Sequence, residues 1–195
     1  MKVFAVNASQ PDSGLLHHCI LADSAVLPWR KPMFLPDFDP EMSLRTVPAV
    51  VIDRLGKSIP QRFASRYYCR AAYALMLRAE GLYRRLADAG MPVSAAVSFD
   101  SAAFISPYMP LDAAEQAFTQ GVATEVDGTI AAQTVCPDFR GSIDRAIHAL
   151  SQYSTLKIGD ILFFDVPDSG IPVQEGNRVR LLAPQGEEIH AFTVK

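Results

Sequence analysis

The sequence predicts an α+β fold that is rich in β-strand and contains only a few short helices. Prolines recur through the first third of the chain and exclude long helices there, because proline breaks a helix interior. They are Pro11, Pro28, Pro32, Pro36, Pro40 and Pro48. The β-branched run PAVVID at residues 48–53 and the Asp127-Gly128 pair between extended residues indicate a strand and a hairpin. Strands and irregular loops should therefore dominate, and helices should be confined to later segments.

Length and composition predict one globular unit. A chain of 195 residues, 49% of them hydrophobic with a mean hydropathy of +0.12, can bury one substantial core. We expect a single domain over residues 1–195, in which residues 1–50 supply strands and loops integrated with that core. The first eight residues, MKVFAVNA, predict an edge or first strand.

The charge balance argues against a polyanionic partner. The formal net charge is −3 and the pI is about 5.8, so neither nucleic acid nor an anionic membrane is expected to bind. The longest apolar runs fall far short of the roughly 20 residues that a membrane helix needs. Three widely spaced cysteines, Cys19, Cys69 and Cys136, suit reduced core thiols rather than nucleophiles and indicate a cytoplasmic protein.

Local signals predict helices in the middle of the chain. The Ser58-Ile59-Pro60 sequence predicts a helix over residues 60–68. Residues 69–89 have high helix propensity, with Leu75, Leu82 and Leu86 at helical spacing. Propensity alone thus predicts one long helix over residues 69–89, broken near Gly81 and ended by Gly90-Met91-Pro92.

The second half is predicted to contain short strands, one helix and an internal repeat. Residues 93–135 are expected to be short strands and loops around the Asp127-Gly128 hairpin. A helix should begin at Ser142, with Ile143, Ile147 and Leu150 on its apolar face. The segments LKIGDILFF and VQEGNRVRLL each place a turn before a strand, and we expect the two strands to pack side by side.

Several sequence blocks resemble the fumarylacetoacetate hydrolase (FAH) family. They are PMFLPDF at 32–38, VIDRLGKSIPQRFASRYY at 51–68, SFDSAA at 98–103 and LKIGDILFFDVP at 156–167. Their order and spacing are similar to those of bacterial members across most of the chain. The resemblance implies an FAH-like mixed β-roll or sandwich, and it implies that residues 69–79 form a buried strand, with a helix restarting near Glu80. We favour the strand, because tertiary context overrides local propensity.

The resemblance also implies a metal site that this sequence does not retain. Family enzymes hold Mg²⁺, Mn²⁺ or Ca²⁺ with three carboxylates, and the cation polarises a 2-oxo acid substrate. The matching positions here are Arg45, Val47 and Met76, and the family's lysine falls on Val97. The family's Gly-Thr-Pro loop is replaced by Asp165, Val166 and Pro167. No metal cofactor is therefore expected, and no residue is assigned a catalytic role.

Arg45 presents a specific electrostatic problem. Removing a dication together with its carboxylates costs little, whereas a lone buried cation is expensive. One hypothesis turns Arg45 toward Asp165 or a bound small carboxylate, so that the guanidinium replaces part of the metal's charge. The alternative places Arg45 in solvent and leaves Asp165 to cap a loop.

Two functional interpretations follow from this pattern. The first is a non-catalytic binding module or partner subunit, which forms a homodimer or associates with an active paralogue. The second is an active hydrolase, isomerase or decarboxylase of acylpyruvate-type 2-oxo acids, with a metal-independent site around Arg45 and Asp165. His17, His18 and Cys19 do not predict a transition-metal site, because adjacent residues of a strand face opposite sides.

Overall fold

A computed structural model of the chain describes residues 1–7 and 18–195. It contains two β-sheets, three α-helices and short 3₁₀ turns, which confirms the strand-rich α+β class. The strands of the larger sheet are β1 (Val3–Asn7), β2 (His18–Leu21), β3 (Val26–Pro28), β4 (Met42–Ile52), β5 (Tyr68–Ala79), β6 (Ala103–Ile105), β7 (Met109–Pro110), β10 (Ile161–Val166) and β11 (Ile171–Val173). Those of the smaller sheet are β8 (Val122–Val126), β9 (Thr129–Thr134), β12 (Arg178–Leu182) and β13 (Glu188–Thr193).

The larger sheet is organised around β4, whose eleven residues are all buried. The path of the sheet is β2-β1-β10-β4-β5-β6-β3, so β1 is a first strand that is paired on both sides rather than an edge strand. On one side β4 pairs with β5 over nearly its whole length. On the other side it pairs with β11 at residues 42–44 and with β10 at residues 49–51, which leaves residues 45–48 between the two partners. Pro48 is tolerated there, because the N–H group that proline lacks would have no partner strand to bond to on that side.

The smaller sheet has the order β13-β12-β8-β9 and contains the predicted hairpin. Asp127 and Gly128 join β8 to β9 with φ values of 50° and 83°. Two successive positive φ values are typical of a type I′ turn, which is why the Asp-Gly pair marks it in the sequence. The predicted side-by-side repeat is wrong, since β10 lies in the larger sheet and β12 in the smaller one. Turn chemistry specified both strands but not the sheets that they join.

The three α-helices differ in how well the sequence predicted them. Helix α1 (Glu80–Asp88) follows β5 directly, as expected. Helix α2 (Leu111–Gln120) was missed, although Pro110 precedes it and Gly121 ends it with a φ of 108°. Helix α3 (Phe139–Tyr153) begins three residues before Ser142. The helix predicted over 60–68 is only a 3₁₀ turn, Gln61–Arg66.

The faces of the larger sheet carry two separate apolar clusters. One face packs against α2 and α3 and contains aromatic side chains such as Phe4, Phe118 and Phe164. The opposite face carries a second cluster made largely of Ala, Val and Met side chains. No helix in the described part of the chain is long and apolar enough to cross a membrane. The second cluster is the one that adjoins the candidate site.

Candidate functional site

Strand register brings the three positions matched to metal ligands onto one face of the sheet. Arg45 lies directly opposite Met76 in the β4–β5 pair, and Val47 lies opposite Ala74. Side chains that are directly opposite each other in an antiparallel pair share a face, and so do residues two apart along a strand. Arg45, Val47 and Met76 therefore project from the same side of the sheet.

Val47 and Met76 are core residues of the second apolar cluster. Their exposed fractions are 0% and 4%, and they pack in that cluster with Ala5, Val97 and the half-buried Val166. None of these side chains offers an oxygen, so this part of the face is apolar rather than ligating. Apolar side chains at alternate positions of β4 and β5 form this apolar part of the sheet face.

Arg45 is buried at 2% exposure, but its guanidinium is well satisfied. Its Nε donates to the carbonyl of Pro167 at 3.0 Å, and its Nη2 donates to the carbonyl of Asp168 at 2.9 Å. The Nη1 group donates to Ser43 Oγ at 2.7 Å, and Nη2 lies 3.0 Å from Glu80 Oε1. Burial lowers the pKa of Arg45, and the neighbouring charge of Arg78 lowers it further. The side chain thus fastens the loop after β10 to the sheet.

Glu80, at the start of α1, supplies the negative charge for this cluster. Arg78 donates to both of its carboxylate oxygens at 2.9 Å, and Ser43 donates to Oε1 as well. Burial raises the pKa of Glu80, but hydrogen bonds from Arg78, Ser43 and Arg45 outweigh it and hold the pKa at about 2. Arg78 Nη2 also donates to the Asp168 carbonyl at 2.9 Å. We call Ser43, Arg45, Arg78 and Glu80 the arginine cluster.

Asp165 and Val166, which the resemblance assigned to a loop, form the irregular end of β10, and Pro167 follows it. Asp165 has a φ of 50°, and the register between β1 and β10 shifts there, between Ala5 and Asn7. The Asp165 carboxylate accepts a hydrogen bond from the thiol of Cys136. Burial, and then this hydrogen bond, raise the pKa of Cys136 well above its ordinary value, so the thiol stays protonated.

Five of the seven candidate residues line one small cleft. Arg45, Met76, Val97, Val166 and Pro167 surround a volume of about 50 Å³, which holds only a few water molecules. The other two do not line it. Val47 belongs to the second apolar cluster, and Asp165 lines a neighbouring cavity of about 190 Å³ beside β9, to which Arg45 and Pro167 also contribute.

The residues present do not fit the divalent cation that the family holds. A hard cation requires several converging oxygen ligands, whereas an arginine, a valine and a methionine occupy the matching positions. The nearby Glu80 carboxylate is already engaged by two arginines, whose charges would repel a dication. Within residues 1–7 and 18–195 no three His, Cys, Asp or Glu side chains form a metal-binding group.

The structure corrects two expectations about charged and thiol groups. Arg45 forms its ion pair with Glu80 and not with Asp165, because α1 starts beside β4 and places its first carboxylate there. It does not point to solvent either. Cys136 is buried and Cys19 half-buried, but Cys69 is exposed and is not a core thiol. His18 lies on β2, while His17 falls outside the described residues.

Sequence reasoning missed Glu80, Arg78 and Ser43 as members of the site. The signal was present in alternation, since Ser43 and Arg45 lie two apart on β4, and Met76, Arg78 and Glu80 lie two apart on β5 and its continuation into α1. Once β5 is taken as a strand, that spacing places all five on one face.

The sheet architecture and the positions around Arg45 together define a class of protein. The family model described as "Fumarylacetoacetate (FAA) hydrolase C-terminal" matches residues 49–191, and the chain belongs to this family. It is 22% identical over 156 residues to the mitochondrial oxaloacetate tautomerase FAHD1 of Mus musculus, covering 80% of this chain and 71% of the relative. It is 25% identical over 162 residues to the 4-hydroxyphenylacetate degradation bifunctional isomerase/decarboxylase of Escherichia coli, covering 78% of this chain and 34% of that one.

Solved structures show the same fold. An FAH family protein of Yersinia pestis superposes with a TM-score of 0.87 at 23% identity, covering 100% of this chain and 92% of the other. The fumarylpyruvate hydrolase of Pseudomonas aeruginosa, solved with Mn²⁺ and pyruvate, gives a TM-score of 0.83 at 19% identity and covers 100% of this chain and 89% of the other. The FAH-like fold is therefore confirmed.

Proposed function

We propose that this chain is a family member that has lost the metal-dependent reaction and serves as a binding or partner subunit. The proposal rests on the burial and pairing of Arg45. A nearly fully buried guanidinium occupies a position matched to a metal-binding carboxylate, and it is neutralised by Glu80. The other two matched positions belong to an apolar core.

The packing of the loop supports a structural role for Arg45. Gly170 lies so close that a Cβ there would approach Arg45 Nη1 to 2.7 Å and Ser43 Oγ to 2.5 Å. The loop, the guanidinium and β4 therefore form one tight unit. Arg45 maintains the shape of the pocket rather than presenting its charge to a substrate.

The alternative, a metal-independent enzyme built on Arg45 and Asp165, has less support. It requires Arg45 to offer donors to a substrate carboxylate, but four of its N–H groups are already used within the chain. It also requires Asp165 as an acid or base, while that carboxylate accepts a hydrogen bond from Cys136. A small carboxylate ligand would have to be held mainly by Arg78, at the edge of the cleft.

We infer that the partner is a second copy of this chain or a catalytically competent member of the family. A single domain over residues 1–195, a homodimer and a cytoplasmic location accompany this proposal as expectations. The mouse relative is named as an oxaloacetate tautomerase, an enzyme that acts on a small 2-oxo acid. An inactive homologue that retains the fold retains the surfaces on which such subunits assemble.

A turnover assay tests the proposal. The purified chain is incubated with oxaloacetate and with an acylpyruvate, each at increasing Mg²⁺ and Mn²⁺, and both substrates are followed by absorbance. The mouse oxaloacetate tautomerase is the positive control for oxaloacetate, and a family acylpyruvate hydrolase is the control for the second substrate. We expect no turnover above the rate with metal alone. Turnover that rises with the chain and saturates with metal contradicts the proposal.

A further inference from the structure

One surface of the molecule, away from the cleft, combines exposed apolar side chains with unpaired positive charge. It is formed where residues 54–66 pack against the end of α3 and the segment after it. Gly56 and Leu156 exchange backbone hydrogen bonds of 3.0 and 2.8 Å, and Ser58 N donates to the Ser151 carbonyl at 2.8 Å. We call the surface the basic-apolar face, and its members are Arg54, Leu55, Lys57, Arg62, Arg66, Tyr153, Lys157 and Ile158.

The apolar part of this face consists of three large side chains that project into solvent. Leu55 is 62% exposed, Tyr153 is 70% exposed and Ile158 is 73% exposed. The antiparallel Gly56–Leu156 pair holds their two segments together and places Leu55 opposite Lys157. Single exposed apolar residues are common, but three such residues on adjoining segments form a surface that gains free energy when it is covered.

The segment that carries most of these side chains is basic, although Asp53 directly precedes it. Residues 54–70 contain five basic residues and no Asp or Glu, although the whole chain has a net charge of −3. Elsewhere exposed arginines such as Arg84, Arg140 and Arg145 form ion pairs with carboxylates. Among the described residues, no ion pair involves a basic member of the basic-apolar face.

Two of the arginines are held in place by an aromatic ring. The guanidinium carbons of Arg62 and Arg66 lie 4.7 and 4.6 Å from the centre of the Phe63 ring. Stacking of this kind restricts a guanidinium without using its N–H donors, which remain free to bind an anionic group. The two arginines thus present oriented donors on the same segment, residues 54–66, that carries Leu55.

We propose that the basic-apolar face binds an acidic polypeptide segment. Carboxylates of the segment pair with Arg62 and Arg66, and its aliphatic side chains cover Leu55, Tyr153 and Ile158. A second copy of the same face is a poor partner, because it would place like charges against each other. A phosphodiester backbone would leave the aliphatic side chains uncovered, and an anionic membrane would repel the rest of this acidic chain. The proposal does not depend on whether the chain is catalytic.

A short fluorescent peptide that alternates Glu with Leu is the probe. Its binding to the full chain is measured by fluorescence anisotropy at low salt and at about 0.5 M NaCl. We expect saturable binding that weakens at high salt. The double substitution Arg62→Gln/Arg66→Gln should weaken it about tenfold, and Leu55→Ser should weaken it severalfold. The matched control is Arg30→Gln/Lys31→Gln, which removes two exposed cations without a described ion pair, and it should leave binding unchanged.

Three results would overturn the proposal. The first is absence of peptide binding to a chain whose circular dichroism shows it folded. The second is equal loss of binding in the control variant, which would mean that the attraction is diffuse. The third is binding to phosphatidylserine vesicles or to duplex DNA that is as tight as binding to the peptide, with the same dependence on Arg62 and Arg66. Retained folding of each variant is checked by the same spectrum.

Discussion

The arginine cluster predicts that Glu80→Gln destabilises the fold strongly. Arg45 has 1% of its side chain exposed and Glu80 has 20%, with 3.0 Å between Nη2 and Oε1. The substitution leaves Arg45 buried beside Arg78, whose charge already lowers the pKa of Arg45. Breaking a buried pair costs about 3–5 kcal/mol. Because Glu80 is partly exposed and glutamine keeps an acceptor, we expect a loss of about 2–3 kcal/mol in the free energy of unfolding.

Urea denaturation followed by circular dichroism measures this loss. Two further variants serve as an exposed-pair control and as a test of the coupling between Arg45 and Glu80. Glu41→Gln removes a carboxylate from the ion pair with Arg84, in which both side chains are 57% exposed, and should leave the free energy of unfolding almost unchanged. Arg45→Met should cost less in the Glu80→Gln background than in the unchanged chain, because the charge that it removes is then uncompensated, while its hydrogen bonds to Pro167 and Asp168 are lost in both backgrounds. If Glu80→Gln costs no more than Glu41→Gln, or if Arg45→Met costs the same in both backgrounds, the electrostatic account of the cluster is wrong.

Three other measurements test the charge of Glu80, the burial of the thiols and the attachment of the loop after β10. Because the pKa of Glu80 is lowered from an ordinary 4.5 to about 2, its carboxylate contributes stability fully above about pH 4.5. That stability should be lost as the pH falls toward 2, and the loss should be smaller in Glu80→Gln. A thiol reagent at pH 8 should modify exposed Cys69 at once and buried Cys136 only on unfolding, as mass spectrometry of digests would show; rapid modification of Cys136 would contradict the buried thiol. Gly170→Ala should cost about 1–3 kcal/mol in urea denaturation, since its Cβ would meet Arg45 Nη1 at 2.7 Å; a neutral effect would show that the loop is not fastened there.

The sequence predicted much of the fold where family resemblance and local chemistry agreed. The hairpin at Asp127-Gly128 is specified by two residues that accept positive φ, and no distant contact is needed to recognise it. Strand β5 is the opposite case, because its propensity indicates a helix while its pairing with β4 and β6 makes it a buried strand. Only knowledge of the neighbouring blocks predicted it correctly.

Other features were missed for identifiable reasons. Helix α2 lies between Pro110 and Gly121, which are local signals of a helix start and end, whereas only short strands and loops were predicted there. The apparent repeat failed for a different reason. A turn followed by a strand determines local structure, but strand pairing depends on contacts between distant residues that local patterns do not contain.

The candidate site shows the same division between what is local and what is not. Alignment with family motifs identified Arg45, Val47 and Met76, and the structure places all three on one face. One hypothesis paired Arg45 with Asp165 or a bound carboxylate and the other placed it in solvent, whereas its partner is Glu80. That pairing depends on where α1 starts relative to β4, a tertiary relation that a motif does not contain.

The most direct test of the central claim is the binding of Mn²⁺ to the purified chain, measured by isothermal titration calorimetry after treatment with a chelator. The mouse oxaloacetate tautomerase is the relative to be titrated alongside. With arginine, valine and methionine at the ligand-matched positions, we expect no saturable heat at metal concentrations that saturate a family enzyme. Stoichiometric binding of Mn²⁺ at concentrations that saturate the tautomerase would contradict the account.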